Sequence, residues 1–283
     1  MIARCKNQHG WKRHWRWLCL GWWLATVAMG WGTTNTPVRI ALLSDTHVDQ
    51  GTNRALYAAR FTQVISAVNT SRVDLVLVAG DLTEHGSPEE MKDFQNRIQS
   101  FPVPVWYVPG NHDVGDKRLK ESTAGVDSQR VDDYERALGK SWFVREFAGL
   151  RILGINSPIL GSDLPQEKAM WTFLDEAVAS APATPTLVLL HHPLYAKSAD
   201  EPGGVYWNVE PEPRQRLLAL MRRTRVKAVL SGHLHQSLVN RLDNLLFLTT
   251  VPVAFGLPVE KAVEGWTLLI VTEDGVQWET KPI

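Results

Sequence analysis

Five short polar fragments of this chain carry side chains of the kinds that bind divalent metal ions. They supply carboxylate oxygens, imidazole nitrogens and one amide oxygen, which are donor atoms that zinc, manganese and iron accept. In chain order they are Asp45-x-His47, Gly80-Asp81, Gly110-Asn111-His112-Asp113, His191-His192 and Gly232-His233-x-His235. On extended backbone, Asp-x-His and His-x-His place both side chains on the same side, because side chains of a strand alternate with a period of two. The fragments together predict a metal site.

Each fragment is weak evidence when it is taken alone. An isolated Asp-x-His is usually a capped turn, a histidine pair before a proline is usually a loop, and a bare Gly-Asp has almost no specificity. Gly-Asn-His-Asp and Gly-His-x-His are moderately specific. The combination carries the prediction, because all five fragments follow predicted strands.

Apolar runs of strand length alternate with helical spacing from residue 38 onward. The strands before the fragments are Val38–Leu43, Asp74–Ala79, Val103–Val108, Thr186–Leu190 and Val226–Leu230. Helical spacing is found near 53–69, 88–100, 166–180 and 214–223. This alternation of continuous apolar strands with helices predicts an α/β fold with parallel strands covered on both faces. Proteins with such sheets bind their ligands beyond the carboxyl ends of the strands. The five fragments are therefore expected to meet at that edge of the sheet.

The first 32 residues have the form of an export signal. Five basic residues between Arg4 and Arg16 precede an apolar run from Trp17 to about Gly32. The run is shorter than the roughly 20 apolar residues that a membrane span needs, and it suits a signal peptide. We therefore expect export to the periplasm or the cell exterior, with an uncleaved N-terminal membrane anchor as the alternative. Residues 37–283 are expected to form one domain.

The charge and the cysteine content limit the partners and the metal ligands that the domain can have. Residues 37–283 hold 25 basic and 30 acidic residues, since five of the 30 bases lie before them. A mildly acidic domain gives no electrostatic reason to expect a nucleic-acid partner. Both cysteines, Cys5 and Cys19, lie in the leader, so the domain has neither a disulfide nor a cysteine-ligated metal.

The five fragments in this order resemble the calcineurin-like metallophosphoesterase superfamily over residues 38–241. The segments VPGNHDVGDK and VYWNVEPEPR, the latter ahead of VKAVLSGHLH, resemble the branch typified by the calcineurin-like phosphoesterase domain-containing protein 1. The resemblance implies a four-layer α-β-β-α sandwich, with two mixed sheets flanked by helices. It also implies a dinuclear metal site at the carboxyl ends of the strands.

The resemblance further implies a role for each residue of the fragments. Asp45, His47 and His235 would hold one divalent ion; Asn111, His191 and His233 would hold a second; and Asp81 would bridge the two. The ions would be Mn, Fe or Zn. His112 would contact the phosphate or the leaving group without binding metal, and Asp113 would orient His112. His192 would lie outside the ligand set.

The implied reaction is hydrolysis of a phosphate ester by a hydroxide that bridges the two ions. Its substrate would be a small-molecule or protein phosphate ester, and the branch favours a phosphomonoester over a phosphodiester such as a cyclic nucleotide. A non-catalytic scaffold that binds proteins is a third hypothesis. It predicts lost ligands or a replaced His112, whereas the whole set is present.

Substrate choice is expected in the two longest loops, Val114–Arg130 and Leu194–Pro213. In the second loop, Tyr206 and Trp207 are suited to stacking on or bonding to a leaving group. The alternative is that they only pack the loop onto the body of the domain. Glu84 and His85 follow Asp81 closely and are either site residues or plain turn residues.

Overall fold

The computed structural model describes residues 36–119, 125–180, 183–261 and 263–283. The predicted leader, residues 1–32, lies outside them. Within these ranges no helix combines the length and the apolar character that crossing a membrane requires.

Strands and helices alternate through most of this part of the chain. They are β1 (Val38–Leu43), α1 (Arg54–Thr70), β2 (Leu75–Ala79), α2 (Pro88–Ile98), β3 (Val105–Val108), α3 (Asn111–Val114), α4 (Ser128–Leu138), β4 (Phe143–Phe147), β5 (Leu150–Gly154), α5 (Pro165–Ser180), β6 (Thr186–Leu189), α6 (Pro211–Met221), β7 (Val226–Ser231), β8 (Leu238–Leu242), β9 (Leu245–Thr249), β10 (Gly265–Val271) and β11 (Val276–Pro282). Every strand predicted before a metal-binding fragment is present, with ends that shift by two residues at most.

The strands form two mixed sheets. The five-stranded sheet has the order β11-β10-β1-β2-β3, in which β1, β2 and β3 are parallel and β10 and β11 add an antiparallel hairpin. The six-stranded sheet has the order β4-β5-β6-β7-β9-β8, with parallel strands from β5 to β9 and an antiparallel strand at each edge. The predicted pair of mixed sheets is confirmed.

Two apolar cores explain the layers. Neighbouring residues of a strand face opposite sides, so Leu42 and Leu77 meet Leu187 and Leu230 of the other sheet in a core between the sheets. The other faces of the strands join a second core with apolar residues of the helices, including Phe61 of α1. The result is the predicted α-β-β-α sandwich, which brings the carboxyl ends of strands from both sheets together.

Local sequence explains where α2 begins. Ser87 Oγ accepts a hydrogen bond from Glu90 N at 3.3 Å, and the Glu90 carboxylate accepts one from Ser87 N at 3.1 Å. This reciprocal cap, with Pro88 at the first helical position, satisfies backbone donors that have no partner within the helix.

Two of the departures from the sequence prediction are α4 and β4. The predicted loop Val114–Arg130 ends earlier, because α4 begins at Ser128 with Asp127 as its cap. The helix was not predicted because its sequence is mostly polar, although Val131, Tyr134 and Leu138 bury one face of it. β4 was also not predicted, since it is an edge strand and its Arg145 and Glu146 are exposed.

Candidate metal centre

The predicted ligands follow the ends of strands in both sheets, and five of the seven lie on strained backbone. Asp45 and His47 follow β1, Asp81 follows β2, and His233 and His235 follow β7. All five have positive φ angles, between 41° and 72°. This conformation is costly for residues other than glycine and persists where surrounding structure enforces it, as it does at functional sites.

Asp45, His47, Asp81 and His235 form a first cluster. Each is buried, and one ligand atom from each lies within 4.8 Å of the others. Nε2 of His47 lies 3.2 Å from Nε2 of His235. His235 Nε2 also lies 3.4 Å from Asp45 Oδ1, so the donor atoms converge on one point.

A second cluster shares Asp81 with the first. Nε2 of His191 lies 3.2 Å from Asp81 Oδ2, 3.2 Å from His233 Nδ1 and 3.0 Å from Asn111 Oδ1. The structure therefore brings all seven predicted ligands together, and it places Asp81 where a bridging carboxylate would be needed.

In three of the histidines, the ring nitrogen that points away from the clusters (the outward nitrogen) faces a backbone carbonyl. His191 Nδ1 lies 2.7 Å from the Ala79 carbonyl, His235 Nδ1 lies 2.6 Å from the Phe255 carbonyl, and His233 Nε2 lies 3.2 Å from the Tyr206 carbonyl. A carbonyl oxygen only accepts, so the outward nitrogen carries a proton, and in the neutral ring the inward nitrogen offers a lone pair. Metal-binding histidines are commonly oriented by partners of this kind.

His47 is held by a carboxylate instead of a carbonyl. Its Nδ1 lies 2.8 Å from Glu84 Oε2, which is an ion-pair distance without the alignment of a hydrogen bond. When both rings are neutral, Nε2 of His47 and Nε2 of His235 face each other with one lone pair each. These lone pairs repel unless a cation lies between them. The donor set fits divalent metal ions.

The charges of the second cluster also favour a bound metal ion. Burial opposes a charge on His191, but the Asp81 and Asp45 carboxylates and the Ala79 carbonyl together outweigh burial and raise the pKa of His191 to about 9. Burial also lowers the pKa of His233 well below its usual range, which keeps this ring neutral. The cluster attracts positive charge, and a metal ion that bound there would displace a proton from His191.

His112 lies beside the clusters and is partly exposed. Its Nδ1 lies 2.7 Å from the Glu84 carbonyl oxygen and 3.9 Å from Glu84 Oε1. The carbonyl holds the proton on Nδ1, which leaves Nε2 for a substrate. Glu84 therefore contacts both His47 and His112. The sequence left open whether Glu84 is a site residue or a plain turn residue, and these contacts make it a site residue.

The expectation that Asp113 orients His112 is wrong. The Asp113 carboxylate accepts hydrogen bonds from the backbone of Leu82, Thr83 and Gly110, at 3.1, 2.9 and 2.8 Å. The carboxylate is turned toward the loop after β2 because those backbone donors are buried and need an acceptor. Asp113 joins the loops that carry Asp81 and Asn111.

His192 stays outside both clusters, as expected. Its Nδ1 lies 3.1 Å from Ser157 Oγ, and that oxygen also accepts hydrogen bonds from the backbone N–H groups of His191 and His192. Ser157 thus joins the His192 ring to the backbone of His191, a predicted ligand.

The family model described as calcineurin-like phosphoesterase matches residues 38–237. This range covers most of the chain and every residue of the two clusters. The chain belongs to the calcineurin-like phosphoesterase family. It is a metal-dependent hydrolase of phosphate esters, from a family with a dinuclear metal site, and its His/Asp clusters have the matching arrangement.

Individual relatives are similar over most of the phosphoesterase. A 3′,5′-cyclic-nucleotide phosphodiesterase of Nostoc sp. is 27% identical over 261 residues, which cover 87% of this chain and 91% of the relative. The serine/threonine-protein phosphatase CPPED1 of Danio rerio is 27% identical over 76% of this chain and 71% of its own. The crystal structure of a dimetal phosphatase from Danio rerio shares the fold, with a TM-score of 0.59 at 12% identity, over 87% of this chain and 96% of that one.

A polar cleft of about 370 Å³ opens beside the clusters. It is lined by residues from the loop after β2, from α3 and the loop after it, from α4 and from the long loop before α6: Glu84, His85, Asn111, His112, Gly115, Asp116, Arg130 and Tyr206. Its walls carry hydrogen-bonding groups of both charges and few apolar atoms. The phosphoesterase thus has room for a polar organic group next to His112.

Several groups at this centre were not predicted from the sequence. The carbonyls of Phe255 and Tyr206 hold two of the histidines, and Asp116 holds Asn111. The carbonyls carry no sequence signal, because any residue type supplies one. Asp116 lay within a predicted loop, where an aspartate has no distinguishing neighbour.

Proposed function

We propose that Asp45, His47 and His235 hold one divalent ion, that Asn111, His191 and His233 hold a second, and that Asp81 bridges them. The observation that carries this proposal is the convergence of buried carboxylate, imidazole and amide atoms in two clusters that share Asp81. When bound, the ions would activate a water molecule and neutralise charge on the phosphate.

The residues of the chain have separate tasks in the proposed reaction. Asp81 and Asn111 would hold ions beside the place where the phosphate binds. His112 presents Nε2 to the cleft, where a protonated ring can give its proton to the departing alkoxide. The Glu84 carboxylate lies beside this ring, 3.9 Å from His112 Nδ1.

We propose a phosphomonoester as the first candidate substrate, in agreement with the resemblance to the CPPED1 branch. Its one organic substituent would occupy the cleft beside His112. The similarity to the Danio rerio protein phosphatase supports this choice.

A phosphodiester is the second candidate, and a specific observation favours it. The Nostoc phosphodiesterase is similar over 91% of its length. In a cyclic diester both ester oxygens belong to one sugar, so a cyclic nucleotide would also place its organic part in a single cleft.

A turnover assay separates the two candidates. Purified protein is supplied with Mn²⁺, Fe²⁺ or Zn²⁺ and assayed with p-nitrophenyl phosphate, bis(p-nitrophenyl) phosphate and 3′,5′-cyclic AMP. We expect metal-dependent turnover with the highest kcat/KM for the monoester. Preference for either diester would overturn the monoester proposal, and no turnover of any ester with any metal would overturn the proposed ligand set.

We also propose that the protein is exported, since residues 1–32 have the form of a signal peptide. N-terminal sequencing of protein isolated from the source cells tests this. Export with cleavage predicts a new N-terminus near residues 30–33. An intact N-terminus in a membrane fraction would instead support the anchor, and an intact N-terminus in the cytoplasm would contradict both.

A further inference from the structure

The segment between β6 and α6 lies over the second cluster. Residues 194–210, here called the strap, place Tyr206 above Asn111 and His233. The ring of Tyr206 lies 4.6 Å from the ring of His233, centre to centre. Tyr206 itself remains 40% exposed and lines the cleft, so it stands between the cluster and the solvent.

The side-chain amide of Asn111 has two N–H bonds, and each has an acceptor. Asn111 Nδ2 lies 3.0 Å from Asp116 Oδ1 and 3.0 Å from the hydroxyl oxygen of Tyr206. An ionised carboxylate only accepts hydrogen bonds, so Nδ2 must face Asp116. Oδ1 consequently faces His191 and the second cluster, which is the orientation a metal ligand needs.

Tyr206 also fixes the proton of His233. Its backbone carbonyl lies 3.2 Å from His233 Nε2, so Nε2 carries the proton and Nδ1 offers its lone pair to the cluster. One residue of the strap therefore contacts two of the ligands proposed for the second ion, and it has no contact of this kind with the first cluster.

The strap is held in place by a partly buried ion pair. Lys117 Nζ donates to the Asn208 carbonyl and lies 2.7 Å from Glu210 Oε1. Glu210 Oε2 in turn accepts from Gly204 N at 2.9 Å, two residues from Tyr206. In the N-terminal part of the strap, the Glu201 carboxylate accepts hydrogen bonds from the backbone N–H groups of residues 196, 197 and 198.

We propose that Tyr206, together with Asp116, is a positioning residue for the second metal ion. The two residues preset the amide of Asn111 and the ring of His233, so that the lone pairs converge before metal arrives. This inference rests on the proposed function, because it assumes that Asn111 and His233 bind metal.

The test compares Tyr206→Phe, Asp116→Ala and the double variant with the wild-type protein in titrations with Mn²⁺. Calorimetry gives the affinity of each ion, and electron paramagnetic resonance distinguishes a spin-coupled pair of ions from a single ion. Outer-shell partners of metal ligands typically change affinity by about 10- to 100-fold. We expect about 10-fold weaker binding of the second ion in each single variant and about 100-fold in the double variant, with the first ion unaffected.

The matched control is Tyr195→Phe, which removes the same atom from the same strap. Among the described residues, the hydroxyl of Tyr195 has no hydrogen-bond partner, so this variant should bind both ions as the wild type does. In the Tyr206 and Asp116 variants, saturating Mn²⁺ should restore most of the turnover, which a general loss of structure would not allow.

Two failures are distinguishable. If the wild type binds two ions and the double variant binds both equally well, this inference is wrong and the ligand set stands. If the wild type binds no ion, the proposed function itself is wrong.

Discussion

Asp81 is the residue on which both clusters depend, because its carboxylate lies among the ligand atoms of each. Asp81→Ala removes the proposed bridge and leaves the surrounding histidines without a shared anion. We expect turnover to fall by more than about 100-fold, beyond the usual effect of an outer-shell partner, and we expect the coupled ion pair to be lost. Steady-state assays and metal analysis measure both.

Asn111→Ala should have a narrower effect, since Asn111 belongs only to the second cluster. The first ion should remain bound while turnover falls by a similar factor. Asp133→Ala, on α4, where the aspartate side chain is 46% exposed, is the matched control for Asp81→Ala. Full activity in Asp81→Ala or Asn111→Ala would show that the ligands are assigned incorrectly.

His112 makes the opposite prediction, because it faces the cleft and lies outside the proposed ligand set. His112→Ala should retain both ions and lose turnover by about 10²- to 10⁴-fold, as expected when a general acid is removed. Metal content and kcat are measured on the same sample. Loss of an ion from this variant would contradict the role given to His112.

At the scale of the elements, the loop after β3 must approach the loop after β2 closely. A methyl group on Gly110 would overlap the backbone nitrogen and the carboxylate of Asp81. Gly110→Ala should therefore displace Asp81 and abolish binding of the ion pair, although the cores are untouched. Metal binding is compared with that of Gly275→Ala, whose added methyl would meet open space in the hairpin turn. Equal binding by the two variants would contradict the close approach.

The strap should loosen when its ion pair is broken. Lys117→Met leaves Glu210 partly buried without its partner, and we expect a loss of about 2 kcal/mol, between the values for exposed and fully buried pairs. Limited proteolysis within residues 196–205 should accelerate, and the second ion should bind more weakly. Lys140→Met is the control, because it removes a lysine whose side chain is 71% exposed in its pair with Glu135. Unchanged proteolysis in Lys117→Met would show that the pair does not hold the strap.

The sequence predicted these elements unevenly, for physical reasons. The strands before Asp45, Asp81 and His191 were found because they are buried on both faces and consist of apolar residues. α4 and β4 were not found, since each buries only one side and the rest of its sequence is polar. The orienting carbonyls of Phe255 and Tyr206 could not be predicted, because they depend on how distant loops pack.

At the scale of the whole molecule, the core between the sheets is separate from the metal clusters. The protein should therefore remain folded when a chelator removes the ions, with lower stability. A ligand at 100 times its Kd stabilises by about 2.7 kcal/mol, which corresponds to a shift in Tm of about 5 to 10 °C for a chain of this size. Thermal unfolding with and without chelator measures the shift. The Tm of Asp81→Ala should not shift. The prediction would be contradicted if neither metal nor chelator changed the Tm of the wild-type protein.

The positions of bound ions test the central claim most directly. Crystals of the protein grown with Mn²⁺ or Zn²⁺ give anomalous difference maps that locate each ion independently of the protein atoms. We predict two peaks about 3.5–4 Å apart, one among Asp45, His47 and His235 and the other among Asn111, His191 and His233, with Asp81 between them. A map with no peak there, or with peaks only elsewhere on the protein, would contradict the account.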